Sequence, residues 1–295
     1  VISDYDGGEI LVNGIPWGWP SLTKETRGLQ RKEFYVIAGR PKSRKTFIAT
    51  AVAMNAVDRH HARVLFISPE MPPKQVLLRG VATQCKLRYR EFKNSALQQA
   101  EEVRLGAAAE QYGLYIDETE ESYNTRLAET LGVPATHVPS FDVIQGTNQT
   151  VTWIESQIEI YRPDIVVVDS FYRLKNSGGR KNEADWKAVT GVSRELKNLA
   201  MTADVTIIGT HQMNREAEGK IGTSGNLALT DAVGQDADLI LQVITGKVEE
   251  RDRSALWVLG GREVPFDGVL INNVPCSDFT EIAPIISRKE VEALL

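Results

Sequence analysis

Long hydrophobic runs are absent from this 295-residue sequence, and no apolar stretch approaches the ~20 residues that a membrane span requires. The N-terminus also lacks the basic-then-apolar layout of a secretory signal. A composition of 42% hydrophobic and 25% charged residues is that of an ordinary globular protein. We therefore expect a cytoplasmic protein with no membrane segment, folded as one large α/β domain or two small ones.

Cysteine is scarce as well, since Cys85 and Cys276 are the only two in the chain. Neither has partners at the spacing of a metal site, which argues against a zinc protein. So few cysteines fit a reducing compartment, where disulfides are rare. Both are most simply explained as small buried residues.

A net positive charge is also lacking, because 34 basic residues stand against 39 acidic ones. Nucleic acid is therefore not bound by the whole surface. The charge is uneven, with eight Lys or Arg and two acids in 24–45, and eight acids and two bases in 101–130. This asymmetry permits a local anion site, although a solvated face would explain it equally well.

The most informative segment joins an apolar run, Phe34 to Ala38, to a helical pattern that continues to His60. The connecting turn has the spacing of a phosphate-binding loop, G-x-x-x-x-G-K-[ST], except that Arg44 replaces the second glycine. A basic surface turn is the alternative interpretation. The candidate nucleotide-binding residues are Gly39, Arg40, Pro41, Lys42, Ser43, Arg44, Lys45 and Thr46.

In such a loop, backbone N–H groups at a helix N-terminus converge on phosphate oxygens. Lys45 would reach the β- and γ-phosphates of ATP, and the Thr46 hydroxyl would bind Mg²⁺. If the backbone at Arg44 needs a positive φ, its Cβ costs about 1–2 kcal/mol. That cost could weaken binding about tenfold without abolishing it. The guanidinium could contact phosphate or crowd the pocket.

Strands and helices alternate along the chain, which predicts a mainly parallel central sheet flanked by helices. We place the domain at 34–280, after a lead-in at 1–33 that covers a sheet edge and before a tail at 281–295 ending in a short helix. Residues 118–147 show no clear period and are interpreted as an excursion. The predicted strands are Phe34–Ala38, Val64–Ser68, Leu114–Asp117, Asp164–Asp169, Val205–Gly209, Leu239–Ile244, Ala255–Leu259 and Val269–Ile271, and the later helices end near Gln84 or span 86–112, Gln149–Tyr161 and Trp186–Ala200.

Polar residues follow several of the predicted strands at their carboxyl ends, where ligands bind in open α/β sheets. Glu70 follows one strand, Asp169 ends another, and Gln212 follows a third. A carboxylate for Mg²⁺, a base for water and a polar sensor of the γ-phosphate are the parts that nucleotide hydrolysis needs. One such acid alone is more often a helix cap or an ion-pair partner, but several at one sheet edge favour a nucleotide site.

The order of these segments resembles the ATPase domain of DnaB-type replicative helicases, within the RecA-like P-loop superfamily. The resemblance covers roughly residues 10–275, with 118–147 as an insertion. It is carried by the set Gly14–Leu22 with Gly28–Gln30, Ala38–Pro41 with Lys45–Thr46, Phe66–Pro72, Ile165–Asp169, His211–Arg215 and Gly234–Ile240.

The resemblance implies a RecA-like P-loop NTPase domain and assigns roles to matching positions. Glu70 would activate the attacking water, Asp169 would orient Mg²⁺, and Gln212 would sense the γ-phosphate. Arg262 would act as a finger on the neighbouring subunit's nucleotide, while Gly260 replaces the lysine that the family has nearby. The alternative for Arg262 is a surface turn. A finger in trans implies a homo-oligomer, in the form of a hexameric ring.

Single-stranded DNA is the partner that the resemblance implies, together with other replication proteins. Where the family has polar residues that contact DNA, this chain has the mostly apolar stretch Leu227–Val233. Two basic loops are the alternative DNA contacts, and Tyr172 could stack on a base or pack under its loop. The candidate DNA-binding residues are Arg173, Lys175, Arg180 and Lys181 in one loop, and Arg215 and Lys220 in the other.

The leading hypothesis is therefore an ATP-driven DnaB-like helicase ring that translocates on single-stranded DNA. A second hypothesis is a non-hydrolysing ring or adaptor whose phosphate loop has decayed, as Arg44 and Gly260 suggest. A third is a RecA-like recombination or regulatory ATPase that does not unwind duplex DNA.

Overall fold

The computed structural model describes residues 5–6, 9–10, 13–111, 128–129, 131–132, 134, 138–178, 185–214, 221–222, 232–245, 252–261, 266–273, 278–285 and 287–294. Its strands are β1 (Tyr5–Asp6), β2 (Glu9–Ile10), β3 (Phe34–Gly39), β4 (Arg63–Ser68), β5 (Ser140–Gln145), β6 (Ile165–Val168), β7 (Thr206–Gln212), β8 (Leu239–Thr245), β9 (Arg253–Gly261), β10 (Gly268–Asn272) and β11 (Glu281–Pro284).

The helices of the described ranges are α1 (Pro20–Thr26), α2 (Lys45–His60), α3 (Pro73–Gln84), α4 (Tyr89–Lys93), α5 (Gln99–Gln111), α6 (Val151–Tyr161), α7 (Asp185–Thr202), α8 (Ala232–Asp236) and α9 (Arg288–Leu294), with a 3-10 turn at Phe171–Arg173. No helix among these residues is both long and apolar enough to cross a membrane.

One large sheet organises the described residues, in the strand order β11-β10-β9-β8-β3-β7-β6-β4-β5. The strands from β8 to β5 in that order pair in parallel, while β9, β10 and β11 continue the sheet antiparallel. Strand β3 is central, with Val36 opposite Gly209 of β7 and Ile240 of β8. Its neighbours are nearly continuous apolar runs, as expected of parallel strands covered on both faces.

Helices cover both faces of this sheet, and each face has its own hydrophobic core. On one face, α2 places Ile48 and Val52 with Trp17 and Leu22 of the N-terminal segment. On the other face, α6 and α7 pack through residues such as Ile154 and Leu196. This arrangement confirms the predicted mainly parallel α/β sheet flanked by helices.

Three expectations about chain organisation differ from the structure. Residues 118–147 are not wholly an excursion, because Ser140–Gln145 forms the edge strand β5, parallel to β4. The predicted helix at 86–112 is interrupted by Ser95, whose φ of 55° ends helical geometry between α4 and α5. The predicted tail contributes β11, which pairs with β10. The predicted strand Leu114–Asp117 lies outside the described residues.

The described part of the lead-in contacts one edge of the sheet. Helix α1 lies beside β11, where the Ser21 backbone N–H donates to Glu281 at 3.0 Å and the Trp19 indole donates to the Phe279 carbonyl oxygen at 2.7 Å. The lead-in therefore covers that sheet edge. Cys85 is buried and free, while Cys276 lies outside the described residues.

Candidate nucleotide site

A cavity of about 360 Å³ lies at the carboxyl edge of the parallel strands. Because β3, β4, β6 and β7 run in parallel and lie side by side, the residues that follow them meet at this edge. The cavity is lined by Lys45, Thr46, Glu70, Asp169 and Gln212, among others. Two predicted residues of the loop and three predicted residues at strand ends are thus brought to one place.

The loop between β3 and α2 has the backbone geometry of the glycine that it lacks. Arg44 adopts the left-handed conformation, with φ 69° and ψ 21°, immediately before α2. Its guanidinium Nη1 donates to the Asn273 carbonyl oxygen at 2.7 Å, although the side chain also lines the cavity. No side-chain cap from Arg44 occupies the helix N-terminus, whose amides are the groups that bind anions.

Lys45 lies folded over this loop. Its ammonium Nζ donates to the carbonyl oxygens of Gly39 and Arg40, each at 3.0 Å. Burial lowers the pKa of Lys45, against the opposing effect of the negative charges of Asp169 and Glu70. The negative charges of Asp169 and Glu70 favour the charged ammonium form of Lys45, and an ammonium group in the cavity attracts an anion.

Asp169 is the most deeply buried acid of the site, at 3% exposure. Its carboxylate accepts a hydrogen bond from the Thr210 hydroxyl at 2.5 Å and another from the Thr46 side chain. Burial raises the pKa of Asp169, while the hydrogen bonds from Thr210 and Thr46 act to lower it.

Thr46 and Asp169 place a hydroxyl and a carboxylate oxygen side by side, which is the ligand chemistry that Mg²⁺ prefers. Within the described ranges, no group of three or more His, Cys, Asp or Glu side chains could hold a metal by itself. The pair therefore fits a Mg²⁺ ion that keeps waters and takes its other ligands from phosphate oxygens.

Glu70 lies at the mouth of the cavity, with 35% of its side chain exposed. Tyr172 donates its hydroxyl to Glu70 Oε1 at 2.6 Å, and Arg173 donates from Nε to the same oxygen at 3.0 Å. The Tyr172 hydroxyl also lies 3.5 Å from Gln212 Oε1. The 3-10 turn after β6 therefore connects two of the predicted catalytic side chains.

Arg79 lines the same cavity and was not predicted from the sequence. Its guanidinium lies over the rings of Phe47, at 4.6 Å, and Tyr89, at 5.7 Å. Its buried Nε has no hydrogen-bond partner among the residues that the structure describes. The sequence gives only a weak signal that Arg79 belongs to the site, because an arginine nine residues after Glu70 looks like any polar residue of an amphipathic helix.

The predicted DNA-binding residues are only partly described. Arg173 and Lys175 are exposed and lie in and just after the 3-10 turn. The finger candidate Arg262 lies outside the described residues, beyond the end of β9. Arg180, Lys181, Arg215 and Lys220 also fall outside the described ranges.

Comparison with known proteins gives a consistent result. A family model described as the DnaB-like helicase C terminal domain matches residues 14–264. A replicative DNA helicase DnaB of Pasteurella multocida is 24% identical over 263 residues, which are 85% of this chain and 51% of the relative. One of Geobacillus stearothermophilus is 25% identical over 256 residues, or 81% of this chain and 50% of the relative. The chain thus spans about half the length of these relatives.

Two solved structures share the fold. One is an ATPase domain with a TM-score of 0.77 and 21% identity, and the match covers 96% of this chain and 95% of that domain. A DnaB-like replicative helicase, solved in a study of its interactions with primase, has a TM-score of 0.77 and 20% identity. That match covers 95% of this chain and 64% of the helicase chain. Both likenesses confirm the expected fold class.

Proposed function

The chain belongs to the DnaB-like helicase C-terminal domain family, and from that premise we propose that it is the ATP-hydrolysing motor domain of a replicative DNA helicase. We propose further that it assembles as a hexameric ring and translocates on single-stranded DNA, beside other replication proteins. The observation that carries the proposal is the convergence of Lys45, Thr46, Glu70, Asp169 and Gln212 on one cavity.

In this proposal the phosphate groups of ATP bind where the N-terminus of α2 meets the cavity. Lys45 exchanges its contacts with the Gly39 and Arg40 carbonyl oxygens for phosphate oxygens. Thr46 and Asp169 would hold Mg²⁺, which supplies charge neutralisation when it is bound. Arg44 supplies the left-handed backbone of the loop, and its guanidinium donates to the Asn273 carbonyl oxygen and does not cap the helix.

The two remaining side chains act on the far end of the triphosphate. Glu70 accepts a hydrogen bond from the attacking water and orients it. Gln212, the last residue of β7, contacts the γ-phosphate and loses this contact when the phosphate leaves. Since Arg262 follows the end of β9, we propose that it completes the site of a neighbouring subunit. A site shared in this way requires the ring.

Contact with DNA is proposed for the basic residues that follow β6 and β7. Arg173 and Lys175 are exposed at the carboxyl edge, next to the site. Arg180, Lys181, Arg215 and Lys220 follow in the same two loops of the sequence. Repeated around a ring, a few such charges per subunit would hold a phosphate backbone despite the net charge of −5.

The proposal is tested by measuring ATP hydrolysis with and without single-stranded DNA. We expect DNA to stimulate turnover, and we expect Lys45→Ala and Glu70→Gln to lower it by at least about a hundredfold. Lys24→Ala, at an exposed position of α1, is the control and should match the parent.

Two outcomes would contradict parts of this proposal. A parent protein that binds DNA but is no more active than Lys45→Ala would be a non-hydrolysing ring or adaptor. A DNA-stimulated ATPase that never separates a forked duplex would instead be a recombination or regulatory enzyme.

A further inference from the structure

The turn after β6 makes direct contact with Glu70, the residue proposed to orient water. Tyr172 and Arg173 both donate to Oε1 of Glu70, at 2.6 and 3.0 Å. Glu70 comes from the loop after β4, and β4 and β6 are neighbours in the sheet. Two consecutive residues in the turn after β6 therefore hydrogen-bond to a side chain in the loop after β4.

These contacts occupy Oε1, one of the two carboxylate oxygens of Glu70 to which an attacking water could donate. A carboxylate oxygen that already accepts from a guanidinium and a phenol is held towards those two donors. The guanidinium of Arg173 also lies over the Tyr172 ring at 5.3 Å, so the two donors support each other. In this arrangement Glu70 is poorly placed to orient a nucleophile.

The same turn is also accessible from outside. Arg173 has 59% of its side chain exposed and Glu70 35%, and exposed ion pairs are weak because water screens them. A guanidinium in this position can exchange a carboxylate for a phosphate group, for which its fork of N–H donors is well suited. Lys175, exposed two residues later, adds positive charge beside it.

We propose that Tyr172 and Arg173 are positioning residues that restrain Glu70, and that a phosphodiester group of single-stranded DNA releases Glu70 by binding Arg173. The inference rests on the proposed function and deepens it, because it explains how DNA contact would reach the hydrolytic site. Gln212 lies beside the same turn, with its Oε1 3.5 Å from the Tyr172 hydroxyl.

A binding experiment without nucleotide tests the competition directly. The probe is a fluorescein-labelled oligothymidylate, and the variants are Glu70→Gln, Arg173→Ala and the double variant. Removing the Glu70 charge should free Arg173 and tighten DNA binding about two- to fivefold, the size expected for an exposed pair. The gain should disappear in the double variant, because Arg173 is the group through which the competition acts.

Glu292→Gln is the matched control, since it removes the same charge from the exposed pair between Arg288 and Glu292, at 2.8 Å. Equal affinities for Glu70→Gln and Glu292→Gln would overturn the proposal, as would a gain that survives in the double variant. This experiment is independent of turnover. It therefore decides on the restraint even if the protein does not hydrolyse ATP, in which case only the motor function fails.

A second experiment measures hydrolysis without DNA and with saturating oligothymidylate. Arg173→Ala and Tyr172→Phe should raise the DNA-free rate about two- to fivefold, so that the ratio of the DNA-saturated rate to the DNA-free rate falls. Arg173→Lys, which keeps the charge, should lie between the parent and Arg173→Ala. Arg288→Ala should match the parent. A DNA-free rate of Arg173→Ala at or below that of the parent would overturn the restraint.

Discussion

The Arg44 guanidinium donates to the carbonyl oxygen of Asn273 at 2.7 Å and so connects the loop before α2 to the end of β10. Asn273 is buried, at 1% exposure, and its backbone N–H donates to the Asp252 carbonyl oxygen. The residue that replaces a loop glycine is therefore held by a fixed acceptor on a different part of the sheet.

The first prediction concerns the left-handed backbone of Arg44. The free energy of unfolding of Arg44→Gly should lie within about 1 kcal/mol of that of the parent, because relief of the left-handed strain offsets the lost hydrogen bond. Arg44→Val should lower the free energy of unfolding by about 2–3 kcal/mol, because a β-branched residue keeps the left-handed strain and lacks the hydrogen-bond donor of the guanidinium. Denaturant unfolding measures both. Equal stability of the two variants would show that this position does not require a positive φ.

The second prediction concerns Gly39, at the start of the same loop. A Cβ at this position would overlap the Ser43 hydroxyl and approach the Val243 carbonyl oxygen to 3.3 Å. Gly39→Ala should therefore cost about 1–3 kcal/mol of stability and weaken nucleotide binding. Adding Ser43→Ala should recover part of the loss, since it removes the overlapping hydroxyl. The prediction fails if Gly39→Ala binds a fluorescent ATP analogue as tightly as the parent.

The third prediction concerns the buried hydroxyl that supports Asp169. Thr210→Val removes the hydrogen bond to the Asp169 carboxylate, which should cost about 1.5–3 kcal/mol and reduce ATP turnover. Thr206→Val is the control, because Thr206 is also buried on β7 but donates to the Gln30 carbonyl oxygen at 2.8 Å. Both variants should be less stable, and only Thr210→Val should lose turnover per folded molecule. Equal turnover losses would contradict the role of Thr210.

The fourth prediction concerns pH and lies away from the cavity. Hydrogen bonds from the Arg88 side chain, then from the backbone N–H groups of Arg88 and Gln98, lower the pKa of Glu101 to about 2. A depressed pKa stabilises the folded state above the unfolded pKa of about 4.3, and this contribution disappears as pH falls towards 2.

Glu101→Gln should accordingly be less stable than the parent at pH 7, and the difference should shrink steadily between pH 5 and pH 2. Glu102→Gln, which removes the same charge at the exposed neighbouring position, is the control. Urea unfolding at several pH values measures both differences. A Glu101→Gln difference that stays constant down to pH 2 would contradict the ionic role of Glu101.

Local patterns in the sequence were sufficient for most of the fold. The apolar runs that form β3, β4, β6 and β7 are buried on both faces. They can therefore be identified as strands from their hydrophobicity, without knowing which strands lie beside them. The edge strand β5 was missed because Ser140–Gln145 mixes polar and apolar residues and is only half-buried. Its pairing with β4 is what makes it a strand.

The candidate nucleotide site, like the fold, could be predicted in part from the sequence. The loop spacing identified Lys45 and Thr46, and the strand ends identified Glu70, Asp169 and Gln212. Parallel pairing of the strands brings residues at such positions to one edge of the sheet. The sequence alone therefore determined the class of the protein and the chemistry available to its site.

Only the tertiary structure decided which side chains restrain the others. Arg44 reaches Asn273 across 229 positions of sequence, and Arg173 reaches Glu70 across 103. Neither partner is recognisable from its own neighbours, since an arginine in a loop has the same local pattern whether it binds phosphate, a carbonyl oxygen or a carboxylate. Such contacts depend on the distance between groups after the chain has folded, and that distance is set by the whole sheet.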